Sequence, residues 1–315
     1  MVIKTKTRRR VTRSSRTLRR LALQQNLTDT VKLLDTNWEL NKTRLRGIRH
    51  DLTNLNGSYF IFTQSNTKLG RKYYNSFLKS PVVINRPQLR LLPETSPFSE
   101  TTLFKSCAIV GNGGILKNSH CGNEIDSSDF VMRSNLQPIK HFTNDAGMKS
   151  SLVTINPSII YNRFNLFDTP GNESNFLQAL EEYQQYFLWI PNSYVVNNSL
   201  SFETASIIRQ TIRQQLLLAD AIYFRKLQRY WKTKKMLSTG MSLVSIGICL
   251  CEEINLYGFW PFQIDSNGEP LPMHYTDDIA WSTYHHNHDY DSEFQLLINL
   301  HRSGVIKLHI NQCSP

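Results

Sequence analysis

The sequence predicts an α/β fold, a single domain with a mostly parallel central sheet flanked by helices, and three observations predict it. Short apolar runs alternate with longer stretches of helical spacing over the C-terminal part of the chain, the pattern of a parallel sheet covered on both faces. The first run, Cys107-Ala-Ile-Val110, breaks at Gly111-Asn-Gly-Gly114. A buried strand ending in such a turn is how α/β folds bring backbone N–H groups close to a phosphate. Finally, 315 residues, 40% of them hydrophobic, are enough to bury a full core.

In chain order, residues 1–25 are basic and low in acid and read as a disordered tail. Residues 26–90 read as stem and linker. Leu27–Leu45 mixes apolar and charged residues at helical spacing, Arg46–Lys79 has no clean period, and the four prolines of Ser80–Phe98 predict an extended lead into the domain. Residues 91–315 read as the folded domain. Its predicted strands are Ala108–Val110, Phe130–Met132, Leu152–Ile155, Tyr186–Ile190, Ile254–Tyr257 and Val305–Ile310. Between them, Glu173–Tyr183, Glu203–Leu218 and Met241–Glu253 read as helices, and Asn156-Pro157-Ser158 and Ile190-Pro191 each close a strand with a proline.

The net charge of +11 is local. Nine of the 36 Lys and Arg residues lie in residues 1–20, which hold no acid, leaving 27 basic against 25 acidic groups elsewhere. A basic tail on a nearly neutral domain argues against a nucleic-acid-binding fold. Five cysteines allow two disulfides and one spare thiol. Cys249-x-Cys251 lacks the Cys-x-x-Cys or paired histidine spacing of a zinc site. Sequons at Asn26, Asn41, Asn56, Asn172 and Asn197 give weak support to a secretory lumen. No run of 18 apolar residues is present to span a membrane.

The densest stretch is Ser106–Asn135. Two apolar runs, each followed by an asparagine (Asn112 and Asn135), would place two amide side chains at one sheet edge, a layout that fits a nucleotide site and also two ordinary strands with turns. This segment resembles the large sialyl motif of eukaryotic sialyltransferases, in the form carried by the α2,8-sialyltransferase family. Leu237–Phe262 resembles the small motif, His274-Tyr275 motif III, and His288 with Glu293 the very small motif. The four occur in the family's order, and the resemblance covers the chain from about Leu91 to the C-terminus. The resemblance implies the variant A-type glycosyltransferase fold, a single Rossmann-like domain.

It also implies a chemistry. The donor would be CMP-sialic acid. Asn112 and Asn135 match the asparagines that bind its nucleotide and phosphate, Ser238, Thr239 and Gly240 the positions that hold its carboxylate end, and Trp260 an aromatic lining the pocket. His288 would be the general base and His274 the group stabilising the CMP phosphate, with Tyr275 and Glu293 in support; a side chain titrating near neutral pH suits both tasks. His285 and His286 lie beside His288 in sequence, and the four-residue gap to Glu293 favours His288. No Asp-x-Asp is present and Asp277-Asp278 is adjacent rather than spaced, so neither a metal nor another cofactor is expected. Departures from the family are mild: Thr276 where motif III usually has a second aromatic, Ser134 in Arg133-Ser-Asn135, and Ala146 in Asp145-Ala-Gly147.

The family's disulfides carry over as Cys107–Cys251 and Cys121–Cys313, each worth on the order of 3–5 kcal/mol, with Cys249 left as a thiol within a helix. The expected acceptor is a sialylated glycan and the expected reaction metal-independent inverting transfer to its 8-hydroxyl. A Golgi lumenal setting, with membrane association through an anchor not seen in this chain, follows from the family. Transfer to galactose through α2,3 or α2,6 linkage, and a catalytically weak glycan-binding relative, are the alternatives. A dinucleotide-dependent oxidoreductase fits the glycine turn but not the G-x-G-x-x-G spacing.

Overall fold

The structure is a computed structural model. It describes residues 27–34, 37–55, 60–75, 79–99, 101–156, 159–160, 163–165, 169–183, 186–191, 198–211, 215–277, 279–283 and 288–314. The tail 1–25, the sequons at Asn26, Asn56 and Asn197, and Pro157, Ser158, Asp278, His285 and His286 lie outside the described residues.

A helix over 27–34 (α1) is followed by α2 (Lys42–Thr53), β1 (Ile61–Phe62), β2 (Lys72–Asn75), β3 (Ser80–Val83) and α3 (Arg86–Leu91). Next come β4 (Phe104–Val110), α4 (Gly122–Asp126), β5 (Phe130–Arg133), α5 (Thr143–Ala146), β6 (Leu152–Thr154), α6 (Pro170–Glu181), β7 (Phe187–Ile190) and α7 (Asn198–Thr211). The chain ends with β8 (Gln215–Ala219), α8 (Ala221–Tyr230), α9 (Thr239–Leu250), β9 (Cys251–Tyr257), α10 (Tyr290–Arg302) and β10 (Lys307–His309). Eight strands form one sheet in the order β1-β8-β7-β6-β5-β4-β9-β10, parallel throughout except for β1, which runs antiparallel to β8.

This order has one reversal. From β4 the chain builds outward through β5, β6, β7 and β8, then returns to place β9 on the other side of β4. Open parallel sheets bind ligands outside the carboxyl ends of the strands at such a switch point. Both faces are covered, as the alternation within the strands shows. Cys107 and Ile109 enter the core cluster built around α9, whereas Ala108 and Val110 join a second cluster with Val131 and Tyr257. Continuous apolar strands are the consequence of burial on two faces.

Two expectations fail for physical reasons. The helix predicted over Glu203–Leu218 ends at Thr211, and Gln215-Leu-Leu-Leu-Ala219 is a strand. A short leucine run is as good a helix as a doubly buried strand, and no glycine or proline punctuates the change. The extended lead predicted for Ser80–Phe98 contains one strand of a two-stranded ribbon and the helix α3 instead. Asn85 and Gln88 form a capping box with Pro87 inside the first turn, so proline starts this helix rather than excluding it.

The region read as stem packs on the same core. Leu45, Ile48 and Leu52 of α2 are buried with α9 residues, and Arg49 donates to the carbonyls of Ile248 and Cys251 where α9 gives way to β9. These bonds satisfy two of the acceptors a helix leaves open at its C-terminus. Strand β1 pairs with the edge strand β8 through Ile61 and Phe62.

Candidate functional site

The glycine turn after β4 sits where the fold reverses. Gly111 N–H donates to Tyr257 O at 2.8 Å and Gly113 N–H to Gly258 O at 2.9 Å, so the loops leaving β4 and β9 touch backbone to backbone. A β-carbon on Gly113 would lie 2.5 Å from Gly258 O, and Gly258 itself has φ +74°. The contact therefore needs glycine on both sides. It holds Asn112 at the mouth of the crevice. Its Nδ2 donates to Ser134 O and Gln137 Oε1, both at 3.4 Å, which leaves Oδ1 as the end offered outward.

Asn135 follows β5 on the same edge and is oriented the opposite way. Its Oδ1 accepts from Asn156 N–H at 3.2 Å and from Thr154 Oγ1 at 3.4 Å, so the Nδ2 group faces away as a donor. Asn156, just past the end of β6, then donates from its own Nδ2 to Thr239 Oγ1. Three asparagines thus stand at the carboxyl ends of three neighbouring parallel strands, and the third reaches the start of α9. From the sequence, Asn156 reads only as part of the Asn156-Pro157-Ser158 strand terminator. The readable signal was there, since it follows its apolar run as Asn112 and Asn135 follow theirs.

Ser238 is the N-cap of α9, accepting from Met241 N–H at 3.1 Å, with Thr239 and Gly240 as the first helical residues. Ordinary capping accounts for that bond. Less ordinary is the acceptor for Ser238 N–H, the Glu293 carboxylate of α10 at 2.7 Å. Glu293 is 5% exposed, and burial pushes its carboxyl up to about 7 against the opposing pull of the Ser238 bonds. Trp260 is buried, donates from its indole to Ile264 O at 2.9 Å and packs edge-on against Phe262 and Phe294.

His288 precedes α10. Its Nδ1 lies 2.8 Å from Met236 O, and because a carbonyl only accepts, Nδ1 carries the hydrogen and Nε2 the lone pair. Burial holds the imidazole below its ordinary value of 6.5, outweighing the Met236 bond, and nearby Lys235 pushes the same way. The ring is therefore neutral at physiological pH, with a basic nitrogen free of the main-chain bond. His274 comes from the other side, bridged antiparallel to Gly113, while Tyr275 N–H donates to Asn112 O at 2.9 Å. Tyr275 is buried and donates from its hydroxyl to Pro138 O at 3.0 Å.

The predicted residues thus fall into two joined groups. Asn112, His274 and Tyr275 are linked through the β4 turn. Asn135, Thr239, Ser238 and Glu293 are linked through Asn156 and the α9 cap, and His288 is bonded to Met236, which lies two residues upstream of that cap. Arg133, in the same motif, is structural. It is buried, and its guanidinium donates to the carbonyls of Ala146 and Lys149 and to Ser150 Oγ. Among the described residues one group has metal-ligand chemistry, Glu124, His309 and Cys313. Its sulfur is engaged in the disulfide to Cys121.

Ionisation of Glu293 has a stability cost whose sign is fixed. The folded state holds this proton more tightly than the unfolded chain, so the contribution is favourable at low pH and is lost between about 4.5 and about 7. Glu293→Gln keeps an acceptor for Ser238 and removes the titration. Thermal unfolding is expected to show the variant matching the parent near pH 5 and exceeding it near pH 8; equal responses at both pH values would contradict the burial argument.

Residues 53–305 match the family model of glycosyltransferase family 29, the sialyltransferases. The chain is 36% identical over 266 residues to an alpha-N-acetylneuraminide alpha-2,8-sialyltransferase of Xenopus laevis, covering 81% of this chain and 71% of that one. To the bovine (Bos taurus) protein of the same name it is 33% identical over 309 residues, covering 93% and 84%. A solved mammalian sialyltransferase aligns over 87% of each chain with 20% identity and a TM-score of 0.46. With most of its length matched by the family model and by relatives above 30% identity, the chain belongs to glycosyltransferase family 29, the sialyltransferases.

Proposed function

We propose that this sialyltransferase moves sialic acid from CMP-sialic acid to the 8-hydroxyl of a terminal sialic acid on a glycolipid or glycoprotein glycan, with inversion and without a metal. The observation that carries the reading is the joining of the four motifs at the switch point of the sheet. The relatives named as alpha-2,8-sialyltransferases support the choice of acceptor.

The donor brings its own leaving group, a phosphate on an anomeric carbon that tolerates positive charge. The protein then needs a base for the acceptor hydroxyl and polar stabilisation of the departing phosphate. His288 takes the hydroxyl proton at Nε2, the nitrogen left basic by the Met236 bond. His274, Asn135 Nδ2 and the free N–H groups at the start of α9 supply hydrogen bonds to the phosphate and carboxylate ends of the donor. Asn112 Oδ1 accepts from a hydroxyl or amine of the nucleoside. Attack opposite to CMP inverts the centre and gives the α-linkage. The reaction belongs to the Golgi lumen in this reading, and among the described residues no helix is long and apolar enough to cross a membrane.

The test is the product formed from CMP-sialic acid and a sialylated lactoside in the presence of EDTA, characterised by NMR. An α-linked 8-O-sialyl product at an undiminished rate is expected. A galactose-linked product would replace the proposed acceptor, and loss of turnover in EDTA restored by a divalent cation would overturn the metal-free mechanism.

A further inference from the structure

We infer that Gln137 is a positioning residue which, paired with Thr276, clamps the His274 turn onto the Asn112 loop. The inference rests on the donor site proposed above. His274 to Asp277 form a tight turn, closed by Asp277 N–H donating to His274 O at 3.0 Å, with Asp277 at φ +56°. Two side chains of this turn land on consecutive residues beyond β5. Thr276 Oγ1 accepts from Gln137 Nε2, and Tyr275 donates to Pro138 O. The other end of the Gln137 amide accepts from Asn112 Nδ2 at 3.4 Å. A single amide therefore spans from the β4 turn to the histidine turn, in one direction: Asn112 N–H to Gln137 oxygen, Gln137 N–H to Thr276 oxygen.

The backbone is strained to put it there. Asn135 and Leu136 are successive non-glycine residues in the left-handed region, with φ of +61° and +46°, a conformation that asparagine tolerates but leucine adopts only where the surroundings impose it. Here the surroundings are explicit. Asn135 N–H donates to Thr154 Oγ1 at 2.9 Å, Arg163 donates to Leu136 O at 2.9 Å, and the Tyr183 hydroxyl donates to Gln137 O. The double left-handed step reverses the chain after β5, and the Gln137 side chain, 5% exposed, lies against Asn112. In this turn the acceptor for the Gln137 amide is the Thr276 hydroxyl. A hydroxyl at this position gives the Gln137 amide an acceptor that a phenylalanine ring would lack. Each residue makes sense of the other.

Two consequences follow. The clamp fixes which end of the Asn112 amide faces the nucleoside, and it holds His274 against the phosphate without itself touching either. The experiment measures cytidine and CMP affinity by calorimetry, beside transfer rate and melting temperature, for Thr276→Val, Thr276→Ser, Gln137→Leu and the Gln137→Leu/Thr276→Val double variant. Thr276→Val is expected to weaken CMP about tenfold, the order of one lost orienting hydrogen bond, while cytidine affinity stays within about twofold. Thr276→Ser restores CMP binding, and the double variant is no weaker for CMP than Gln137→Leu alone. Equal losses for cytidine and CMP in Thr276→Val, additive losses in the double variant, or losses that track the melting temperature would overturn the clamp. A wild-type protein that binds neither compound would instead overturn the donor site on which it rests.

Discussion

His288→Ala is expected to lower the transfer rate by about 10²–10⁴-fold, the range associated with removing a general base, while CMP affinity stays close to that of the parent. The size follows from how the residue is held. Met236 O fixes the tautomer, so Nε2 is the basic nitrogen, and burial keeps the ring neutral above its lowered pKa. In the proposed mechanism both features act on the proton-transfer step, and neither contributes to holding the nucleotide. The parent's rate should fall on acidification through a pKa below the ordinary 6.5, because the ring must lose its proton to act. Glu293 titrates nearby, up to about 7, so the same profile recorded with Glu293→Gln assigns the acid limb. A variant that loses CMP binding and rate together would place His288 in donor binding instead.

The second large effect is covalent. Cys107–Cys251 ties β4 to β9 across 144 residues, and Cys121–Cys313 ties the start of α4 to the C-terminus across 192. In the chain-entropy limit each closure is worth about 5 kcal/mol, against a total stability of about 5–15 kcal/mol for an ordinary domain. Cys107→Ala/Cys251→Ala is expected to lower the denaturant midpoint sharply. Removing both bridges should leave little folded protein, whereas an unchanged midpoint in the double-bridge variant would contradict the account. The spare thiol does not blur the test. Cys249 is buried, and burial pushes its pKa up to about 12, so the reactive thiolate is scarce.

Both effects trace to features that the sequence displayed unequally. The β4 turn was legible because Gly111-Asn-Gly-Gly114 allows few backbone solutions, and the strand before it is a continuous apolar run. By contrast, β8 was hidden in a leucine stretch whose fate depends on a neighbouring strand far away in sequence. The helix α2 was obscured for the same reason, since nothing local says that Leu45, Ile48 and Leu52 will meet α9, whereas α3 was missed although its signal, the capping box around Pro87, is local. At the site, residues that end strands were readable one at a time. What periodicity does not encode is the bonding among them: Asn156 to Thr239, Glu293 to Ser238, and Gln137 to Thr276. Those contacts join residues 55 to 139 positions apart. With nine of the basic residues confined to residues 1–20, polar groups at the crevice, rather than a basic face, are what the proposed reaction has for recognising the anionic donor.

The most direct measurement is transfer of labelled sialic acid from CMP-sialic acid to a sialylated acceptor and its asialo counterpart, run side by side with His288→Ala on the full chain. The account predicts label only on the sialylated acceptor, and little or none with the variant. Label on the asialo acceptor, or undiminished transfer by the variant, would contradict it.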